Sequence, residues 1–336
     1  MPAPVSFGQA LPVLGLNNGF PGTFSRLHPT IASRQVLSTT PNNLLFGAPC
    51  VIIADSQGGT VQSVADFIAA AAGNSGSVYG QFGGIAVREV KTVLTYQNGL
   101  TPGTQQTGFF APGEMADILE AGSVCVPIVE GTPVSQAPVY VRVFANTSTG
   151  TFTANTAVGS NVLLSVSSFT GVQLGQGLSG TGIPSGTIVG AVNTTASTIT
   201  MVFPGGLPAL ATAAGTGTTV TFSNTVTAVG DLEAEDDVAA TTTMTAVAAS
   251  ANITVASATG INVGQIAVGG SIPPGTGVTV VSGTTITLSV AVPTVAAPGT
   301  AVTFHNTLAL PLTVFRTGNL DANFVAEITL KARVAA

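Results

Sequence analysis

The sequence predicts a mainly β protein: a small β-barrel or jelly-roll-like base domain with one short helix, plus two homologous inserted β-sandwich-like modules. Three observations lead there. First, one passage occurs twice. Thr170-Gly171-Val172-Gln173-Leu174-Gly175 and Gly182-Ile183-Pro184-Ser185-Gly186-Thr187 return as Thr259-Gly260-Ile261-Asn262-Val263-Gly264 and Ser271-Ile272-Pro273-Pro274-Gly275-Thr276. Val220-Thr221-Phe222-Ser223-Asn224-Thr225 likewise returns as Val302-Thr303-Phe304-His305-Asn306-Thr307. Gly, Pro and Thr held in register imply that the same turns and strands are built twice. Second, charged residues are only 7% of the 336, and Trp is absent, while 45% are apolar. Third, the charge is unevenly placed: no Lys or Arg lies between positions 143 and 315. The compositional break divides the chain into a discontinuous base domain, 1–152 with 226–240 and 308–336, and two modules, 153–225 and 241–307. Insertions of this kind succeed at exposed loop tips.

The elements follow in order. Residues 1–45 are rich in turn formers, with Phe20-Pro21-Gly22-Thr23 a good turn, and read as an extended arm or irregular edge with a few short strands. Pro49 to Ala54 is a buried strand by its Val-Ile-Ile run. Val61 to Ala72 carries Val61, Val64, Phe67 and Ile68 at helical spacing, and Gly73 is placed to end that helix. Phe82 to Leu94 is strand-like. Met115 to Leu119 fits a helical turn or a strand. Ser123 to Val129 is a strand in which Pro127 implies an edge or bulge. In Pro138 to Phe144, Val139, Val141 and Val143 face one way and Tyr140, Arg142 and Phe144 the other. Leu310 to Arg316 and Phe324 to Leu330 are the closing strands, where charge returns.

The composition excludes several function classes. A net charge of −6 with eight basic residues leaves no basic footprint for nucleic acid. No apolar run is long enough to cross a bilayer as a helix, and no secretory signal is evident. Disorder is excluded by the apolar content. Cys50 and Cys125 sit in apolar runs and read as buried free thiols in preference to a disulfide.

Little chemistry is on offer. Asp231, Glu233, Glu235, Asp236 and Asp237 form the densest charge cluster. It lacks the glycine and closing glutamate of a calcium loop, so it reads as a solvated acidic loop, or one that pairs with Arg or Lys of a partner. The two histidines are His28 and His305, and His305 reads as a strand-end surface residue. No nucleophile elbow, no metal-spaced histidine pair and no phosphate loop occurs. No catalytic, cofactor or metal residue is therefore assigned, and the chain is not read as an enzyme.

With the repeats set aside, the remainder resembles the cement, or head-decoration, proteins of tailed bacteriophages. The resemblance is carried by the order of several stretches. They are Phe20-Pro21-Gly22, Phe46-Gly47-Ala48-Pro49-Cys50-Val51, Phe82-Gly83-Gly84-Ile85-Ala86-Val87-Arg88-Glu89, Pro112-Gly113-Glu114-Met115-Ala116-Asp117-Ile118-Leu119, Ala137-Pro138-Val139-Tyr140-Val141 and Asp321-Ala322-Asn323-Phe324-Val325-Ala326-Glu327-Ile328. It implies a β-rich protein that binds the outside of the capsid shell as an oligomer, a dimer or trimer, and fastens neighbouring capsomers. The implied partners are the major capsid protein and other copies of this chain, with neither nucleic acid nor membrane. The implied location is the outer capsid surface of the virion, after synthesis in the host cytoplasm. Arg26 and Arg34, in the N-terminal arm, are the expected capsid-facing residues.

The alternative is an adhesin or fibre-type module whose repeats bind host glycans. Sugar sites favour an aromatic platform with polar neighbours. The repeats hold Phe169, Phe203, Phe222 and Phe304 but neither Tyr nor Trp, and the equivalence of Phe222 with Phe304 marks them as core.

Overall fold

The computed structural model describes residues 21–23, 29–53, 59–70, 74–87, 108–145, 149–172, 175–203, 208–225, 229–245, 250–293, 297–318, 320 and 325–331. The base strands come first: β1 (Thr30–Gln35), β2 (Leu44–Leu45), β3 (Pro49–Ile53) and β4 (Thr60–Ser63). Two short helices follow, α1 (Val64–Ala70) and α2 (Ser77–Gln81), and then β5 (Phe82–Val87), β6 (Phe109–Phe110), β7 (Met115–Pro127) and β8 (Pro138–Arg142). The first repeat supplies β9 (Gly150–Thr156), β10 (Val162–Leu163), β11 (Gln176–Gly180), β12 (Ile188–Asn193), β13 (Thr198–Val202) and β14 (Gly215–Thr225). After β15 (Leu232–Glu233), the second repeat supplies β16 (Val238–Thr245), β17 (Ser250–Val255), β18 (Ile266–Val268), β19 (Val278–Ser282), β20 (Thr285–Val292) and β21 (Thr300–His305). The base closes with β22 (Thr307–Phe315) and β23 (Val325–Leu330). The protein is mainly β.

The base strands form one sheet, β15-β8-β22-β23-β7-β5-β3-β4, with β1 also on β7. Its spine is β7, which changes partner at Gly122. Residues 115–121 pair with β1, while 122–127 pair with β23. The sheet curls at both ends. A parallel bridge between Val36 and Val61 brings the chain after β1 to β4, enclosing Val36, Leu44, Cys50, Val61, Ala86, Ala116 and Ile118. A parallel bridge between Glu130 and Glu233 brings β15 back to the chain after β7. The larger core lies beneath that second curl and includes Val124, Val139, Val141, Leu232, Phe315 and Ile328. Gly84 makes the β5–β7 approach possible, since a Cβ there would collide with the Leu119 carbonyl.

Each repeat is a six-stranded antiparallel sheet bent until its edges meet. The first runs β10-β13-β12-β11-β14-β9 and closes through an Asn155–Leu164 bridge. The second runs β18-β21-β16-β17-β20-β19 and closes through Ile266–Gly277. Read around the ring, the two orders are the same circle opened at different places. Repeated residues make repeated bonds. The Thr187 hydroxyl donates to the Pro184 carbonyl at 2.7 Å, and Thr276 to Pro273 at 2.6 Å. Leu178 N–H donates to the Thr187 carbonyl and Ala267 N–H to that of Thr276, both at 2.8 Å. Phe222 and Phe304 are each buried in their own repeat's core. Closure removes the sheet edges that uncharged Thr-Val strands would otherwise leave open.

Several elements differ from expectation. The helix begins at Val64, because Val61 belongs to β4 and pairs with Ile52. The Ser63 hydroxyl accepts the Asp66 N–H at 3.1 Å, the bond of an N-cap. Among the described residues there are two short helices, not one; α2 is too short to show a period. Met115–Leu119 is strand. Pro127 ends its strand, where no ladder donor is needed. Gly73 and residues 88–94 lie outside the described residues.

Candidate functional site

The polar centre of the molecule is built on β8. Its Val139 and Val141 enter the core, and the pleat turns Tyr140 and Arg142 to the opposite face. Beside it, β15 pairs Leu232 with Val141 and Glu233 with Tyr140, so Glu233 shares the face of Arg142. Arg142 Nε donates to Glu233 Oε1 at 2.5 Å and Nη2 to Glu233 Oε2 at 3.0 Å, a two-pronged pair. Nη1 donates to Asp237 Oδ2 at 2.9 Å, and Nη2 to Glu130 Oε2 at 3.3 Å. Relative exposure is 0% for Arg142, 1% for Glu233 and 2% for Glu130 and Asp237. Three acidic side chains therefore enclose one guanidinium, out of water.

This overturns the reading of residues 231–237 as a solvated loop. Low charge density elsewhere made them look like a surface run. Tertiary pairing with the one arginine of β8 draws Glu233 and Asp237 inside. His305 is corrected likewise: it ends β21, but it is buried, with Nδ1 2.8 Å from Asp236 Oδ1 and Nε2 2.7 Å from Thr303 Oγ1.

Three carboxyls against one cation leave an excess of negative charge. Burial pushes the Glu130 carboxyl well above its usual range, and the neighbouring Glu233 adds to the effect against the opposing pull of Arg142. Burial also raises Glu233, to about 7, even though Arg142 pulls it down. Burial opposes the charge on Arg142, but Glu233 and Asp237 outweigh it and hold the guanidinium protonated. Glu130 Oε1 has no hydrogen-bond partner among the described residues, as suits a carboxyl that keeps its proton.

The cluster ties the base to the second repeat. Asn306 Nδ2 donates to Asp237 Oδ2 at 3.0 Å, and Gln265 Nε2 to Asn306 Oδ1 at 2.9 Å. The Thr307 hydroxyl donates to Asp236 Oδ1 at 2.8 Å and accepts the Asp237 N–H at 2.9 Å. The first repeat leaves after β8 and returns before β15; the second leaves after Asp237 and returns at Thr307. The arrangement fastens the second repeat to the base, with the guanidinium filling the space between carboxyls that a bound cation would take.

Of the residues expected to face a partner, Arg26 lies outside the described residues. Arg34 lies on β1, where Nη2 meets Glu120 Oε1 at 2.8 Å with the side chain about a quarter exposed. Ser33 beside it donates to Asp117 Oδ1 at 2.7 Å. Arg34 is thus in a different lobe from the Arg142 cluster. Sequence reasoning missed the exposed apolar side chains of the base: Ile31 and Met115 in the β1–β7 pairing that holds Arg34, and the cross-strand pair Leu45 and Phe109. Cys50 and Cys125 are buried and not joined to each other, and burial pushes the Cys50 thiol up to about 12. Among the described residues, no helix is long and apolar enough to cross a membrane.

A family model described as "Structural cement protein (E217 gp24/Pam3 gp6)" matches residues 13–202, more than half of the chain. No curated protein matches it.

Proposed function

The chain belongs to the phage structural cement protein family, and from that premise we propose that it binds the outer surface of the capsid and fastens neighbouring capsomers. Membership makes it a structural protein of the phage head. The finer reading adds the major capsid protein as partner, self-association as a dimer or trimer, and synthesis in the host cytoplasm. Contact falls on the Arg34–Glu120 pair and the exposed Ile31, Leu45, Phe109 and Met115 of the base, with Arg26 of the N-terminal arm as a further contact. The observation that carries this reading is the family match over residues 13–202, which takes in β1 to β8 and runs on through β9 to β13 of the first repeat. Exposed apolar side chains rimmed by polar ones are what a protein contact surface presents. Many weak contacts on a repeating lattice act together, because binding at one point raises the effective concentration at the next.

We further propose that the base is discontinuous, 1–152 with 226–240 and 308–336, and that 153–225 and 241–307 are modules inserted into it. The phenylalanines of the repeats favour a scaffolding role for them over a sugar platform, since Phe222 and Phe304 are buried and Phe169 and Phe203 pack against the first core. The test is co-sedimentation with heads stripped of this protein. Saturable binding that raises the temperature of head disruption is expected. Met115→Asp with Phe109→Asp should weaken it at least tenfold, two buried apolar contacts being worth more than ~1.4 kcal/mol together. Absence of binding by the unaltered chain would overturn the reading.

A further inference from the structure

The second repeat does not stand apart from the base. Between them lies a cavity of about 280 Å³, walled by β18 and the Pro273–Gly275 turn on one side and by α2, β8 and β22 on the other. Tyr79 and Tyr140 line it, with Ile266, Pro273 and Leu308 as apolar lining and Asp236 and His305 as its polar end. The repeats contain no tyrosine of their own. The fold brings two of the chain's three tyrosines, from distant parts of the base, to the flank of the second repeat.

Asp236 carries the argument about the ligand. Its side chain is about one-third exposed. The bonds from His305 and Thr307 both fall on Oδ1. No Lys or Arg pairs with it among the described residues. Tyr140 feels this carboxylate: burial first, and Asp236 second, raise its phenol. A carboxylate at the end of an apolar cleft flanked by aromatic rings matches one side chain chemistry. Arginine carries an apolar stem, a planar cation that lies against aromatic faces, and donors arranged for a carboxylate. Positions 143–315 hold no basic residue, and Arg142 is buried in its own cluster.

We propose that this cleft receives an arginine side chain projecting from a protein neighbour in the phage head. The inference rests on the cement reading for where the neighbour comes from. The net charge of −6 provides the attraction, and the lack of a Lys or Arg at Asp236 among the described residues provides the place. The rings and the carboxylate set the orientation.

The test uses the full chain carrying Tyr96→Phe, so that Tyr79 and Tyr140 are the remaining tyrosine fluorophores. N-acetyl-arginine amide is titrated against tyrosine emission, beside N-acetyl-norvaline amide and methyl glycosides. Saturable quenching by the arginine probe is expected, with a dissociation constant on the order of 1 mM for so small a ligand. Norvaline amide should give no saturation. Asp236→Asn should weaken the arginine probe by about tenfold, because a charge-assisted bond becomes a neutral one. That change keeps an acceptor for His305 and Thr307. Tyr140→Leu, checked for unchanged circular dichroism, should abolish the signal and the affinity measured by chemical-shift titration. No saturable response to arginine, an equal response to norvaline, or binding of a glycoside in its place overturns the proposal. Head co-sedimentation of the unaltered chain is run alongside. Head binding without arginine binding sinks the cleft alone, and arginine binding without head binding sinks the cement reading alone.

Discussion

Arg142 and its three carboxyls concentrate electrostatic stress in a chain that is otherwise nearly uncharged. Replacing it by Met leaves Glu130, Glu233 and Asp237 buried without their cation. A loss of roughly 3–5 kcal/mol is expected for breaking such a cluster from one side, read from urea unfolding at pH 7. The two glutamates set a pH dependence. Their folded-state values are raised above the ordinary 4.5, Glu233 to about 7, so the folded state holds protons that the unfolded chain has released. Stability therefore falls as pH rises from about 4.5 to about 7 through this cluster. The urea midpoint should be higher at pH 5 than at pH 7.5, and Glu130→Gln, which mimics the protonated acid, should flatten the difference. A midpoint that rises with pH over this interval would refute the assignment. Cys50, buried and with its thiol held up at about 12, should resist thiol reagents in the folded protein and react once the chain is unfolded.

Elements meet where side chains are missing. The short 3₁₀ turn Asn74–Gly76 lies against the second repeat so closely that a Cβ on Gly76 would sit 2.5 Å from the Gly277 amide nitrogen. Gly186 is the first repeat's equivalent of Gly275, and a Cβ there would meet open space. Gly76→Ala, in ordinary helical backbone, should therefore cost about 1–3 kcal/mol through displaced packing. Gly186→Ala should cost only about 1 kcal/mol, from its positive φ. Hydrogen exchange separates the two. The first variant should loosen α2 and β18 together, and the second should leave the base unaffected. The Ser63–Asp66 cap shows that the helix start was written in the sequence. The apolar period hid it, since Val61, buried in β4, stands three places before Val64 and carries the helical spacing back into the strand.

At the scale of the molecule, the two repeats are built alike but joined differently. The second contributes Ile266 to the base core and Gln265 to the polar network, whereas the first repeat's core is entirely its own. Deleting 153–225, with a short glycine linker, should leave a folded protein that still sediments with heads. Deleting 241–307 should destabilise the base, seen as a lowered thermal midpoint, because it opens apolar surface at α2, β8 and β22. Equal tolerance of both deletions would show that the junction contributes little.

The sequence alone determined the β character, the repetition and the family resemblance, because these rest on local signals: strand alternation, turn residues at fixed offsets and the order of short motifs. It also marked Phe222 and Phe304 as core, since repeated aromatic positions follow a repeated fold. The tertiary structure alone decided that Glu233, Asp237 and His305 are buried, that Arg142 is the centre of Glu130, Glu233 and Asp237, and that Tyr79 and Tyr140 flank the second repeat. Those facts depend on contacts between residues far apart in the chain, such as Glu130 with Glu233 or Tyr79 with Gly275. A charged run carries no local mark of whether water or an arginine will surround it; its environment is set by which strands the folded chain brings alongside.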